Sequence, residues 1–170
     1  MSTDERIVVG VSGSANSAAA LRWAAAEARL RTAKIWAVHA WSSPMETLAP
    51  YASLRGVPSK EQQRLASSAL LTTAVSQAFG PGSEGSEVGV RPILVEGHPA
   101  AVLLRYAVGA RLLVLGRRAQ PSPPGGITLG AVARACAAHA PCPTVLITAA
   151  EVADDAEISW CSQGHLCVGR

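Results

Sequence analysis

The chain is poor in aromatic and charged residues and has no long apolar run. Aromatic side chains make up 4% of the 170 residues and charged side chains 16%, whereas 49% of the residues are hydrophobic. No apolar run reaches the roughly 18 residues that a membrane-spanning helix needs. Basic residues exceed acidic ones by only three and are scattered, unlike the basic stripe of a nucleic-acid-binding protein. We therefore expect a globular protein that binds neither membranes nor nucleic acid.

Cysteine is scarce as well, and the start of the sequence does not resemble a secretory signal. Residues 1–6 are mostly polar and lead directly into a predicted strand, so we expect a cytoplasmic protein with reduced thiols. The cysteines are Cys136, Cys142, Cys161 and Cys167. Cys161, His165 and Cys167 offer three zinc ligands, but structural zinc takes four, usually at a different spacing. We predict no metal site, and we expect Cys136 to pack as a small hydrophobic residue.

Short apolar runs alternate with helical patterns along the sequence. The apolar runs predict buried strands at Ile7–Val11, Ile35–Ala40, Val88–Val95, Leu112–Leu115 and Thr144–Thr148. Helices are predicted between them at about residues 16–31, 59–79 and 129–139, with a further one opening at residues 97–99. This alternation predicts an α/β fold, a doubly wound parallel sheet of five strands with helices on both faces. The Pro- and Gly-rich residues after Gly116 are expected to form a loop.

Local signals set the boundaries of this domain. Ser59 and Gln62 stand in the spacing of a capping box, which predicts a helix start. Residues 42–58 contain three prolines and are expected to form a long loop. Residues 151–170 show no strong periodicity, so we predict one domain over residues 1–150 and a C-terminal tail over residues 151–170.

Two segments about a hundred residues apart are typical of the two halves of a nucleotide site. The first, Arg6–Ser14, is a buried-strand pattern that runs into a Gly/Ser turn and a helix. The second is the strand Leu112–Gly116, followed by Gly125–Val132 at the start of another helix. Loops that leave the carboxyl ends of neighbouring parallel strands meet in a crevice, where ligands bind. A helix start in that crevice offers N–H groups to phosphate.

The chain resembles the universal stress protein family. The stretches that carry the resemblance occur in the family's order, and they are Ile7–Ser14 with Ala20–Ala25, Val38–Trp41, Val95–Pro99 with Ala110–Gly116, and Leu129–Val132 with His139–Pro143. The resemblance implies the strand order 3-2-1-4-5, a homodimer, a role in stress response and, in many members, an ATP or AMP site. In binding members the run Gly-x-x-Gly, nine residues, Gly-Ser/Thr holds the phosphates.

The phosphate-binding run is imperfect in this chain. Gly116 matches its first glycine, Ala119 stands at the second, and Gly130 follows after ten residues rather than nine. Ala131 replaces the Ser or Thr, and Ser12 replaces the aspartate that faces the ribose. The resemblance further matches Arg118 to a frequent arginine and Val38 to the position whose backbone meets adenine. The candidate nucleotide-binding residues are therefore Val11, Ser12, Val38, Gly116, Arg118, Ala119, Gly130, Ala131 and Val132.

These departures predict weak binding of ATP or AMP, with Mg²⁺ accompanying ATP. The lost hydroxyl of Ala131 alone costs about 1.5–3 kcal/mol if it bonded a phosphate. The sequence supports almost equally a second function, that of a dimeric interaction or scaffold subunit that binds no nucleotide. A distant alternative is an ATP-pyrophosphatase-type enzyme, since residues 12–17 resemble its Ser-Gly-Gly-x-Asp-Ser loop in part. His39 has no partnered nucleophile, so we predict no catalytic residue and at most weak ATP hydrolysis.

The predicted last strand suggests how two chains associate. Thr144–Thr148 is apolar and, in the family's strand order, forms an edge of the sheet. An uncovered apolar edge invites pairing with a second copy. We therefore expect a homodimer through this strand, with other protein partners left unknown.

Overall fold

A computed structural model of the chain describes residues 5–42, 58–80, 88–117, 119–122 and 126–149. The predicted tail at residues 151–170 and the predicted loop at residues 43–57 lie outside them. The described helices are α1 (Ala15–Arg31), α2 (Lys60–Phe79), α3 (Pro99–Ala107) and α4 (Ala131–His139). The described strands are β1 (Arg6–Gly10), β2 (Lys34–Trp41), β3 (Val90–Glu96), β4 (Leu112–Gly116), β5 (Ala119–Ser122), β6 (Gly126–Leu129) and β7 (Thr144–Ile147).

Five strands form a parallel sheet in the order β3-β2-β1-β4-β7. Ile7 of β1 pairs with Ile35 of β2 on one side and with Leu112 of β4 on the other. With β7 counted as the fifth strand of this sheet, the order is the expected 3-2-1-4-5. The predicted fold class is therefore confirmed.

Each face of the sheet carries its own buried core. Val9, Ile35 and Val114 belong to the cluster that includes the buried alanines of α1. Val8, Val38 and Leu113 belong to the cluster with Leu103 of α3 and Cys136 of α4. Neighbouring strand residues point to opposite faces, so apolar runs without alternation suit a sheet that helices cover on both sides. No helix among the described residues is long and apolar enough to cross a membrane.

Two helix starts carry side-chain caps. Ser59 accepts a hydrogen bond from the backbone N–H of Gln62, and the Gln62 side chain accepts one from the N–H of Ser59, which confirms the predicted capping box. Ser14 caps α1 by accepting from the N–H of Ser17. The N–H groups that these side chains bond are thereby satisfied inside the chain.

The segment after β4 is not the expected loop. β5 and β6 form an antiparallel hairpin in which Ala119 pairs with Leu129 and Ser122 with Gly126. Leu129 is thus a strand residue, and α4 begins at Ala131 rather than near Leu129. Proline is tolerated in a strand whose missing N–H faces the open side, and a two-stranded ribbon has such a side throughout. Pro121 is therefore compatible with a hairpin, and its presence did not justify predicting a loop.

Candidate functional site

A cavity of about 490 Å³ lies at the carboxyl ends of β1, β2 and β4. The starts of α3 and α4 close it from one face of the sheet. Its lining comprises Gly10, Val11, Ser12, Val38, His39, Ala40, Pro99, Leu103, Leu115, Gly116, Gly130, Ala131, Val132 and Ala133. The segment Arg6–Ser14 and the segment from Leu112 to Val132, which the sequence predicted to be two halves of one site, both contribute residues to this cavity.

Most of the candidate binding residues line this cavity. Val11, Ser12, Val38, Gly116, Gly130, Ala131 and Val132 all do so. Ala119 lies in β5. Arg118 falls outside the described residues. His39, Ala40, Pro99 and Leu103 were not among the candidates, because nothing local in their sequence separates a cavity wall from an ordinary strand end or helix start.

The start of α4 opens into the cavity without a side-chain cap. Gly130 occupies the N-cap position and has no side chain to accept from the first N–H groups. Ala131, Val132 and Ala133 of the first turn all line the cavity. Uncapped N–H groups and the positive end of the helix dipole together attract an anion. One turn further along α4, burial raises the pKa of the Cys136 thiol, in keeping with its predicted packing role.

Ser12 lies beside the capped start of α1. Its hydroxyl is 3.0 Å from the hydroxyl of Ser14, the residue that caps this helix. Ser12 is exposed and lines the cavity. Its hydroxyl can therefore offer a neutral hydrogen bond to a ligand, whereas Ser14 already accepts from Ser17.

His39 forms a wall of the cavity and is fixed by a backbone contact. Its Nδ1 lies 2.8 Å from the carbonyl oxygen of Val11, so Nδ1 carries the proton and donates it. The same side chain lines a second cavity of about 350 Å³ beside α2, along with Gln63 and Ser67. The bond to Val11 fixes the orientation of the His39 ring.

Val38 is buried and its backbone is engaged in the sheet. Its side chain is 1% exposed, and its carbonyl oxygen accepts from the N–H of Val11 at 2.9 Å. This bond extends the pairing of β1 and β2 one residue beyond Gly10. Val38 therefore meets the cavity as part of its apolar wall.

The described lining residues carry no carboxylate, lysine or arginine. His39 is their only titratable side chain. Arg117 is not among them, and its Nε is buried with no hydrogen-bond partner among the described residues. The described part of the chain also contains no group of three or more His, Cys, Asp and Glu side chains that could hold a metal ion.

Asn16 ties the start of α1 to the ends of two strands, and the sequence did not single it out. Its Nδ2 donates to the carbonyl oxygen of Arg117 at 2.6 Å, and its Oδ1 accepts from the N–H of Ala149 at 2.6 Å. One amide thus joins the start of α1 to the chain just after β4 and β7. We refer to these two bonds as the Asn16 clamp.

Replacing Asn16 with alanine is expected to destabilise the protein by about 2–4 kcal/mol. Both partners of the Asn16 clamp are part-buried backbone groups, and each would be left without its bond. Asn16→Asp keeps an acceptor for Ala149 but sets a carboxylate oxygen against the carbonyl oxygen of Arg117, so it should also be less stable than the parent chain. Urea unfolding of the three proteins checks this order. Equal stability of Asn16→Ala and the parent chain would contradict it.

The crevice can be compared with those of known proteins. The model of the Universal stress protein family matches residues 5–148. A universal stress protein of Mycobacterium tuberculosis, Rv2005c, is 29% identical over 165 residues, which are 96% of this chain and 53% of that protein. The chain thus spans about half the length of the curated relatives that it matches.

Solved structures show the same fold. A universal stress protein from Archaeoglobus fulgidus is 25% identical with a TM-score of 0.63, covering 84% of this chain and 93% of that one. The structure of the universal stress protein from Archaeoglobus fulgidus in complex with dAMP is 26% identical with a TM-score of 0.58, covering 84% and 97%. The family model spans the strands, the helices and the crevice between them, and the chain therefore belongs to the universal stress protein family.

Proposed function

We propose that the crevice binds an adenine nucleotide, ATP or AMP, and that the chain is a nucleotide-responsive stress or signalling module. The observation that carries this proposal is the uncapped start of α4 in a cavity whose described lining residues carry no carboxylate. A phosphate would be held there by backbone N–H groups at Ala131 and Val132. The similar structure from Archaeoglobus fulgidus in complex with dAMP supports the ligand class.

Other lining residues suit the rest of such a ligand. Ser12 offers a hydroxyl to the ribose, and the partly exposed Ala40, Pro99 and Val132 offer apolar surface to the base. Mg²⁺ would enter with ATP, held by the phosphates and water, because no described lining residue supplies a carboxylate. The described lining residues also show no paired base and nucleophile, which favours binding over catalysis.

We further propose that this binding is weak. Ala131 has no hydroxyl to add to the backbone donors, and Ser12 gives a neutral contact where the family pattern has an aspartate. The position of the second glycine, Ala119, is paired with Leu129 inside the hairpin. Each difference removes or redirects one contact of the family's nucleotide site.

Restoring the missing hydroxyl should tighten ATP binding. Ala131→Ser adds one donor beside the phosphate, and a hydrogen bond to a charged group is worth about tenfold or more in affinity. Ala138→Ser makes the same change on an exposed residue at the far end of α4 and should leave binding unchanged. Calorimetry with ATP and AMP measures both.

Two results would contradict these proposals separately. Submicromolar affinity in the unmodified chain would show that the binding is not weak. No heat with ATP or AMP in either the parent chain or Ala131→Ser would reject nucleotide binding and favour the scaffold function.

The open edge of β7 favours the second candidate function, a dimeric interaction subunit. The carbonyl oxygens of Pro143 and Ile147 accept from Leu113 and Arg117, towards β4. By the alternation of a strand, the backbone groups of Thr144 and Leu146 point away from β4. In the described part of the chain β7 ends the sheet. We propose that a second copy pairs with this edge.

The other edge strand is less suited to such pairing. β3 carries a proline and charged residues in the run Val90–Glu96, and both are features that block edge-to-edge association. β7 has the apolar sequence Thr-Val-Leu-Ile. The contrast supports assembly through β7 in preference to β3.

Leu146→Pro should convert a dimer into a monomer while the fold is kept. Proline at this position removes an N–H that points to the open edge and none that bonds β4. Light scattering at tens of micromolar measures the mass, and a thermal melt verifies folding. A folded Leu146→Pro variant with the mass of a dimer would exclude this edge as the interface, and a monomeric parent chain would exclude the dimer.

A further inference from the structure

A second surface of the chain combines arginines with aromatic rings. The guanidinium of Arg6 lies 4.5 Å from the centre of the Trp36 ring, and that of Arg91 lies 5.4 Å from it. Tyr106 meets Trp36 edge to face at 6.0 Å. Arg105 lies 5.5 Å from the Tyr106 ring. We name these five residues the arginine–aromatic surface.

This surface lies at the opposite end of the sheet from the crevice. Arg6 and Arg91 are near the starts of β1 and β3. Arg105 and Tyr106 are at the end of α3, which returns across the sheet from the carboxyl ends of the strands to their amino ends. A ligand here would leave the crevice open.

The cations of this surface have no acidic partners among the residues that the structure describes. The ion pairs found there are Arg31–Glu27, Lys60–Glu96, Arg64–Glu61 and Arg111–Glu5. The nearby carboxylate of Glu5 is thus held by Arg111. Arg6 donates to the carbonyl oxygen of Val108, whereas Arg91 and Arg105 are exposed. The guanidiniums of Arg91 and Arg105 therefore contact aromatic rings and still have N–H groups that can donate to a ligand.

Carboxylates fit this arrangement better than nucleic acid bases do. Trp36 already has two guanidiniums against its ring and Tyr106 has one, which leaves little ring surface for stacking. The planar fork of arginine matches a carboxylate in two-point contact. Pro92, beside Arg91, has no N–H for an added strand, so recognition would run through side chains.

An apolar side chain adjoins the cations. Val108 is 60% exposed, and its carbonyl oxygen is the acceptor of Arg6. An exposed valine beside arginines that have no acidic partner among the described residues suits a segment in which acidic residues flank one apolar residue. We propose that the arginine–aromatic surface binds such an acidic segment of a partner protein.

Charge reversal tests this proposal on the full chain. The probe is an end-labelled peptide in which glutamates flank one leucine, followed by fluorescence anisotropy, with glutamines replacing the glutamates in a control peptide. Arg91→Glu combined with Arg105→Glu should weaken binding of the acidic probe by roughly tenfold or more. The control variant combines Arg22→Glu with Arg29→Glu, which changes the net charge by the same amount. Both residues are exposed on α1, on the opposite face of the sheet from α3, so this variant should have little effect on binding of the probe.

The outcomes separate the proposal from general electrostatic attraction. Equal weakening in the two double variants, or equal affinity for the glutamate and glutamine peptides, would overturn it. Tighter binding of a single-stranded RNA oligonucleotide that also depends on Arg91 and Arg105 would overturn it in favour of nucleic acid. Thermal melts verify that both double variants fold. We expect both to fold, because all four substituted arginines are exposed.

Discussion

Gly116→Ala is expected to lower the free energy of unfolding by about 3 kcal/mol, near the upper end of typical overpacking costs. An added Cβ would lie 2.6 Å from the backbone carbon of Asn16 and 2.6 Å from the nitrogen of Ser17. These are backbone atoms of the first turn of α1, and the Asn16 clamp holds that turn in place. The strand and the helix cannot separate without breaking the clamp.

Gly10→Ala is the matched control for this prediction. Its added Cβ would also come within 2.6 Å of a neighbour, but that neighbour is Cδ2 of the Leu115 side chain. A side-chain end can change rotamer, so we expect a cost below about 1.5 kcal/mol. Urea unfolding compares the two variants. If Gly116→Ala is no less stable than Gly10→Ala, then α1 can shift and the close approach at Gly116 is not required.

Ala131→Asp is expected to weaken ATP binding at least thirtyfold while leaving the fold intact or slightly stabilised. A carboxylate in the first turn of α4 interacts favourably with the helix dipole, by about 0.3–1 kcal/mol. The same carboxylate would repel a phosphate at that helix start, and about 2 kcal/mol of repulsion corresponds to roughly thirtyfold in affinity. The opposite signs of the two effects separate lost binding from lost folding.

Two controls sharpen this measurement. Ala131→Asn has nearly the shape of the aspartate without its charge, so it should bind ATP much more tightly than Ala131→Asp. Adenosine has no phosphate, and its binding should be insensitive to the aspartate. Calorimetry on the three proteins with both ligands supplies the comparison. Equal weakening of ATP binding by Ala131→Asn and Ala131→Asp would mean that side-chain volume rather than charge matters. It would contradict the placement of the phosphate at this helix start.

The parts of the fold that the sequence predicted depend on contacts between near neighbours. The capping box at Ser59 and Gln62 is set by residues three apart, and the buried strands were visible as unbroken apolar runs. The hairpin after β4 was missed because prolines and glycines in a two-stranded ribbon resemble those of a loop. Its pairing of Ala119 with Leu129 joins segments that show no strong alternation.

The candidate site was predicted only in part, because only some of its features depend on residues that are close in the sequence. Its glycines and the start of α4 were recognisable from a pattern, whereas the function of Asn16 was not. Asn16 bonds residues 101 and 133 positions away, and nothing beside it in the sequence indicates either partner. Gly116 was predicted to contact phosphate, and that prediction stays open, whereas its close approach to α1 became visible only once both elements were placed.

The Asn16 clamp has a consequence for how the chain is made. It joins a residue near the amino terminus to Ala149, so its second bond cannot form during synthesis until nearly all of the described chain has left the ribosome. Contacts of such wide separation carry a high entropic cost of loop closure and tend to form late. The strands can assemble progressively, but the bonds that tie α1 to the ends of β4 and β7 are completed last. A nascent chain interrupted before Ala149 would therefore contain most of the sheet without the finished clamp.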